Sequence, residues 1–141
     1  MITAIDANIL FDVLAPNPKY WQLSAKALEE AATMGSLVIC DLVYAELCVH
    51  FPRQSDCDQF LKENDIRVEA LTREASLLAS RLWRSYRQAG GKRTRILADF
   101  LIGAHAQVQA SRLLTRDRGF YREIFRSLTL VDPAGTLERD L

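Results

Sequence analysis

Long apolar runs are missing from this 141-residue sequence. The longest, such as 37–40 and 42–45, fall far short of the roughly 20 residues that a membrane-spanning helix needs, so none is expected. The amino-terminal stretch Met-Ile-Thr-Ala-Ile-Asp has no basic region and carries a carboxylate, Asp6, where a secretory signal would be apolar; a cytoplasmic protein is the expectation. Cysteine is scarce. Cys40, Cys48 and Cys57 make an odd count without C-x-x-C spacing, which argues against a disulfide framework or a zinc site and leaves small, reduced core residues. The 4 prolines and 6 glycines do not cluster into a linker, and there is neither an internal repeat nor a low-complexity tract. No glycine-rich loop opens a helix as a phosphate cradle requires, and no serine has His and Asp partners at recognisable positions, so covalent catalysis is disfavoured.

Net charge is also missing: 18 basic residues face 18 acidic ones. Its distribution is uneven. Residues 1–70 hold 5 basic and 11 acidic side chains, and residues 71–141 hold 13 and 7, so the halves carry minus 6 and plus 6. An acidic site and a basic face on one molecule are the pairing expected where a metal site works on a polyanion.

At 49% apolar and 26% charged residues, the chain has the composition of a globular protein, and its length suits a single domain, residues 1–141. Short apolar runs at 2–5, 37–40, 66–70, 112–115 and 128–131 have strand length and alternate with helical patterns. This predicts an α/β fold with a mostly parallel sheet of about five strands and helices on both faces. Between 74 and 88, Ala75, Leu78, Ala79, Leu82, Trp83 and Tyr86 recur at helical spacing, with Thr72 as N-cap and Gly90 and Gly91 as the stop. Arg73, Arg84 and Arg87 fall on the other side. A second helix, 20–34, should end at Gly35, and Asp41 is placed to cap the helix that carries Glu46.

Four acids sit where such a sheet puts its functional groups. Asp6 ends the first strand, Glu46 lies early in the helix after the second, Asp99 opens a later helix, and Asp117 follows the strand ending at Thr115. If the first and fourth strands flank the point where strand order reverses, Asp6 and Asp117 are neighbours. Carboxylates that close repel, and a hard cation such as Mg²⁺ or Mn²⁺ would hold them together. Each acid alone could be a helix cap or a solvated residue. Glu46, however, is flanked by Val43, Ala45, Leu47 and Val49, and Asp99 precedes Phe100, Leu101 and Ile102, apolar settings in which an idle carboxylate costs stability.

The strings Ile-Asp-Ala-Asn-Ile-Leu (5–10), Leu-Val-Tyr-Ala-Glu-Leu (42–47), Ala-Asp-Phe-Leu-Ile-Gly-Ala-His-Ala (98–106) and Leu-Leu-Thr-Arg-Asp-Arg-Gly-Phe (113–120) resemble, in order, the four motifs of PIN-domain nucleases. The resemblance is strongest to the VapC-type ribonuclease toxins of type II toxin–antitoxin pairs. It implies a PIN-like (Rossmann-like) three-layer sandwich in which Asp6, Glu46, Asp99 and Asp117 are the catalytic, metal-binding acids, with Asn8 and Thr115 as polar helpers. It also implies one or two Mg²⁺ or Mn²⁺ ions, an RNA substrate cut by hydrolysis, a cognate antitoxin and a homodimer. Ala7 departs from the family pattern, where a hydroxyl residue often stands, and removes one hydrogen bond from the surroundings of the ions.

RNA contact is expected along residues 81–95, where Arg81, Arg84, Arg87, Lys92, Arg93 and Arg95 occur without an acid; a solvated basic face or an antitoxin contact is the alternative. Arg112, Arg116, Arg118, Arg122 and Arg126 could extend that groove. Trp83 and Tyr86 are read as packing residues and His105 as a satisfied interior histidine. His50, four residues after Glu46, is a weaker candidate for a ligand or proton carrier. Alternatives to the toxin are a PIN nuclease of RNA processing, a non-catalytic RNA-binding PIN protein, and a phosphatase with an aspartyl nucleophile, the last disfavoured because Asn8 stands where that chemistry wants an acid.

Overall fold

Strands buried on both faces need aliphatic side chains at successive positions. That is the character of Ile2–Ile5 (β1) and Ser36–Cys40 (β2), whose residues 3–5 and 37–40 are all buried. In the computed structural model, which describes residues 1–134, these strands are joined by Ile66–Glu69 (β3), Arg112–Leu114 (β4) and Leu130–Val131 (β5). All pairings are parallel and the order is β3-β2-β1-β4-β5. The last seven residues of the expected single domain lie outside the described residues. The fifth strand is shorter than the expected 128–131 because Leu128 closes a turn instead, its N–H donating to the Phe125 carbonyl at 3.0 Å.

Seven helices link the strands among the described residues: Ala7–Leu14 (α1), Trp21–Met34 (α2), Asp41–Cys48 (α3), Gln54–Glu63 (α4), Arg73–Gln88 (α5), Leu97–Gln109 (α6) and Arg118–Ile124 (α7). Right-handed crossovers that run one way for β1-β2-β3 and the other way for β3-β4-β5 put their helices on opposite faces of the sheet. None of these helices is long and apolar enough to cross a membrane. Cys40 and Cys57 are buried and Cys48 half-buried, all as free thiols.

The helix α5 follows its apolar stripe. Ala75 and Ala79 are fully buried, the larger stripe residues are partly so, and the Thr72 hydroxyl accepts from the Ala75 N–H at 3.2 Å. α6 packs along it, carrying Gly103 where a side chain would overlap the Phe125 ring. α2 ends at Gly35, where a Cβ would run into the Met1 carbonyl.

One expected cap is displaced. The N-cap of α3 is Cys40, which is still paired with Glu69 in the sheet, so the helix begins a residue early. Asp41 becomes its first residue, favoured there by the helix dipole, and accepts from the Leu71 N–H at 3.4 Å.

Candidate active site

The strand order reverses between β1 and β4, the position in an open α/β sheet where a crevice forms at the carboxyl ends of the strands. Ile5 pairs with Leu114 there, and the Asp6 N–H donates to the Leu114 carbonyl at 3.0 Å, which brings the residues that follow each strand together. The buried Asp6 caps α1: its Oδ1 accepts from the Ala7 N–H at 2.8 Å. Its Oδ2 accepts from the Thr115 hydroxyl at 2.8 Å and from the Asn8 amide at 3.3 Å. Thr115 in turn accepts from the Asp117 N–H at 3.0 Å, and Asn8 Oδ1 from the Arg116 N–H at 3.3 Å. Asn8 and Thr115 therefore fix the Asp6 carboxylate and tie the β4–α7 loop to α1.

The other acids approach from two further elements. Asp99 occupies the first turn of α6, its Oδ2 accepting from the Ile96 N–H at 3.0 Å; Glu46 lies on α3. The acids act on one another. Glu46 is pushed above the usual carboxylate range by partial burial and then by the charges of Asp6 and Asp99. Burial raises Asp6, the bonds from Thr115, Ala7 and Tyr121 oppose this, and the charge of Asp117 adds to the rise. Tyr121, buried in α7, has its hydroxyl driven upward by burial and by Asp6, Asp99 and Asp117. This tyrosine was not among the residues singled out in the sequence. Its only signal was its place four residues after Asp117.

The apolar flanks of Glu46 do not bury it. A helix of 3.6 residues per turn sends Val43 and Leu47 into the core and leaves Glu46 and Ala45 on the open side, with Val49 81% exposed just beyond. Around Asp99, Phe100 and Ile102 are buried as expected.

All four acids offer carboxylate oxygens, a donor set suited to a hard divalent cation, and their mutual repulsion is what such a cation relieves. As the side chains stand, however, no three His, Cys, Asp or Glu groups among the described residues are arranged to hold one ion. One of the four acids already has a cationic partner: the Arg95 guanidinium bonds both oxygens of Asp117 at 2.6 and 3.1 Å and lies 4.3 Å from the Phe120 ring centre.

The basic residues divide into two groups. Arg81, Arg84 and Arg87 are exposed and, with Ser80, Trp83 and Gln88, line a groove of about 600 Å³ beside α5; Lys92 and Arg93 are also exposed. Arg87 stacks over Trp83, whose indole N–H has no hydrogen-bond partner among the described residues, and Tyr86 packs on Phe100 as expected. The second basic region is largely spent inside the fold. Arg116 bonds Asp12 at 2.7 and 2.9 Å, Arg118 pairs with Asp132 at 3.3 Å, and Arg112 donates to Thr3 at 2.9 Å. Three of the five arginines expected to extend the groove thus have carboxylate or hydroxyl partners, because the buried Asp12 and Thr3 and the half-buried Asp132 after β5 lie within their reach. Arg122 and Arg126 are exposed. His105 is buried and bonds Glu69 at 2.9 Å, while the exposed His50 packs its ring 4.6 Å from that of Phe11.

A parallel five-stranded sheet whose order reverses between β1 and β4, with Asp6 and Asp117 following those strands, defines an α/β protein with carboxylates beside its switch point. The family model of the PIN domain matches residues 3–123, and the chain belongs to the PIN-domain family, in which nuclease activity and the use of divalent metals are general. Solved structures of similar fold include a chain of VapBC2 from Rickettsia felis bound to a DNA fragment from their promoter. The TM-score is 0.72 at 21% identity, over 94% of this chain and 98% of that one. A chain of VapBC-1 from nontypeable Haemophilus influenzae gives 0.71 at 18% identity, over 95% and 99%. A chain of a toxin–antitoxin complex from Klebsiella pneumoniae gives 0.66 at 20% identity, over 93% and 97%. Comparison with curated protein sequences finds no match.

Proposed function

We propose that this single-domain protein is a divalent-metal-dependent endoribonuclease, the VapC-like toxin of a toxin–antitoxin pair. What supports the reading is the charge coupling near the switch point of a PIN fold, where Asp6 and Asp99 act on Glu46 and Asp117 acts on Asp6. The similarity in fold to chains of VapBC complexes supports the antitoxin partner.

Asp6, Glu46, Asp99 and Asp117 would hold Mg²⁺ or Mn²⁺, as one or two ions. What the cation supplies is acidification of water and neutralisation of the charge that develops on the phosphate. Asn8 and Thr115 keep the Asp6 carboxylate in one rotamer, so little reorganisation is left for the reacting complex. Arg81, Arg84, Arg87, Lys92 and Arg93 take the RNA backbone, which makes binding fall steeply with salt; Arg95 belongs to the same stretch. The protein works in the cytoplasm as a homodimer until its antitoxin covers the pocket.

The test is cleavage-site mapping on total cellular RNA. Wild-type protein with Mg²⁺ should produce a small set of discrete cuts, abolished by a chelator and by Asp99→Asn or Asp6→Asn, while His50→Ala keeps most of the activity. Cleavage that survives in folded acid variants, after contaminating ribonuclease has been removed, overturns the reading.

A further inference from the structure

Asp117 is held differently from the other acids of the pocket. Asp6 takes its bonds from its own helix terminus and from neutral donors, and Asp99 takes one from the backbone. Asp117 has both oxygens engaged by one guanidinium in the two-point geometry that binds carboxylates best. The cation comes from the short loop between Gly90-Gly91 and α6, and it is only half-buried, with the face of Phe120 beneath it. Gly90 has φ +80° and no atom within contact distance of a side chain built on it, so the loop's entry is a left-handed turn in open space. Beyond it the loop is held by Tyr86, whose hydroxyl donates to the Lys92 carbonyl at 3.1 Å, while the Arg95 side chain itself is only half-buried.

We propose that Arg95 is a built-in competitor of the metal: its guanidinium stands in for the divalent cation on Asp117, and the ion enters only as Arg95 leaves. The inference rests on the reading of Asp117 as a cation ligand. Its physical basis is competition: both Asp117 oxygens already carry a charged donor, and the same positive charge offsets the repulsion among the acids that otherwise attracts an ion. An ion pair of this exposure has modest strength, so it retards metal binding without preventing it.

Calorimetric titration of metal-free protein with Mg²⁺ separates the possibilities. Arg95→Gln should bind Mg²⁺ roughly fivefold tighter than wild type, the factor corresponding to loss of one partly exposed ion pair. Arg93→Gln removes the same charge from the same loop without touching Asp117 and should shift affinity by less than about twofold. In wild-type protein the ¹⁵N–H signal of the Arg95 guanidinium, assigned by its loss in Arg95→Gln, should move as Mg²⁺ is added. Arg95→Lys, which keeps the charge but cannot form the two-point contact, should also bind Mg²⁺ more tightly than wild type, and it serves if Arg95→Gln fails to fold. Equal affinities for wild type and the Arg95 variants, or equal gains for Arg93→Gln and Arg95→Gln, overturn the competitor role while leaving the nuclease reading intact. Absence of Mg²⁺ binding by every protein, including Arg95→Gln, overturns both.

Discussion

Removing Asp12 or Arg116 tests how the β4–α7 loop is held. Asp12, on α1, is 3% exposed and accepts two bonds from Arg116 and a third from the Ser24 hydroxyl at 2.7 Å; Arg116, 26% exposed, also lies 4.0 Å from the Tyr20 ring centre. Breaking such a pair from one side costs about 3–5 kcal/mol, because the survivor keeps its charge and loses its partner. The two sides are unequal here. In Asp12→Ala the guanidinium can turn to water through its exposed edge, which puts the cost near the lower end, about 3 kcal/mol. In Arg116→Ala the buried carboxylate retains, among the described residues, the Ser24 hydroxyl alone, which puts the cost near about 5 kcal/mol. For a chain of this length, with about 3 °C of melting temperature per kcal/mol, the losses are about 9 and 15 °C. The double variant should be no less stable than Arg116→Ala alone, since removal of the second charge relieves the first. Thermal and urea unfolding of the four proteins measures this as a double-mutant cycle. If Arg116→Ala costs less than Asp12→Ala, or if the two losses simply add, the argument from unequal burial is wrong.

Three further outcomes are expected. Gly103→Ala forces a methyl group into the Phe125 ring, so unfolding by urea should show a loss of about 1–3 kcal/mol, and wild-type stability would contradict the packing of α6 on Phe125. Glu46 is raised in the folded protein above its usual 4.5, so its contribution is stabilising below that pH and disappears as pH rises through the folded value. Metal-free Glu46→Gln should therefore gain stability relative to wild type as pH rises above 4.5, and a pH-independent difference refutes the shift. Burial pushes the Cys57 thiol up to about 12 and also raises Cys40, so native protein treated with iodoacetamide near pH 8 should label slowly at both, with mass spectrometry of the peptides as the readout. Rapid native labelling of Cys57 would contradict that burial.

The legible part of the site was the part written locally. Asp6 could be read at the end of an apolar run, Asp117 shortly after another, and Asp99 at the opening of a helix, because strand length and helical period mark the ends of elements. Thr72 as a cap and Gly35 as a stop were legible for the same reason. The apolar neighbours of Glu46 misled because sequence adjacency on a helix points side chains in different directions: Val43 and Leu47 meet the core while Glu46 and Val49 do not.

The sequence by itself determined the alternation of strands and helices, the four acids and the excess of arginine in the second half, all of which follow from spacing along the chain. Only the tertiary structure decided which arginines have charges to spare. Arg116 meets Asp12 across 104 positions and Arg95 meets Asp117 across 22, while Arg81 and Arg84 remain at the surface. The physical reason is that an ion pair depends on separation through space and on access of water, and both are created when β4 is laid beside β1.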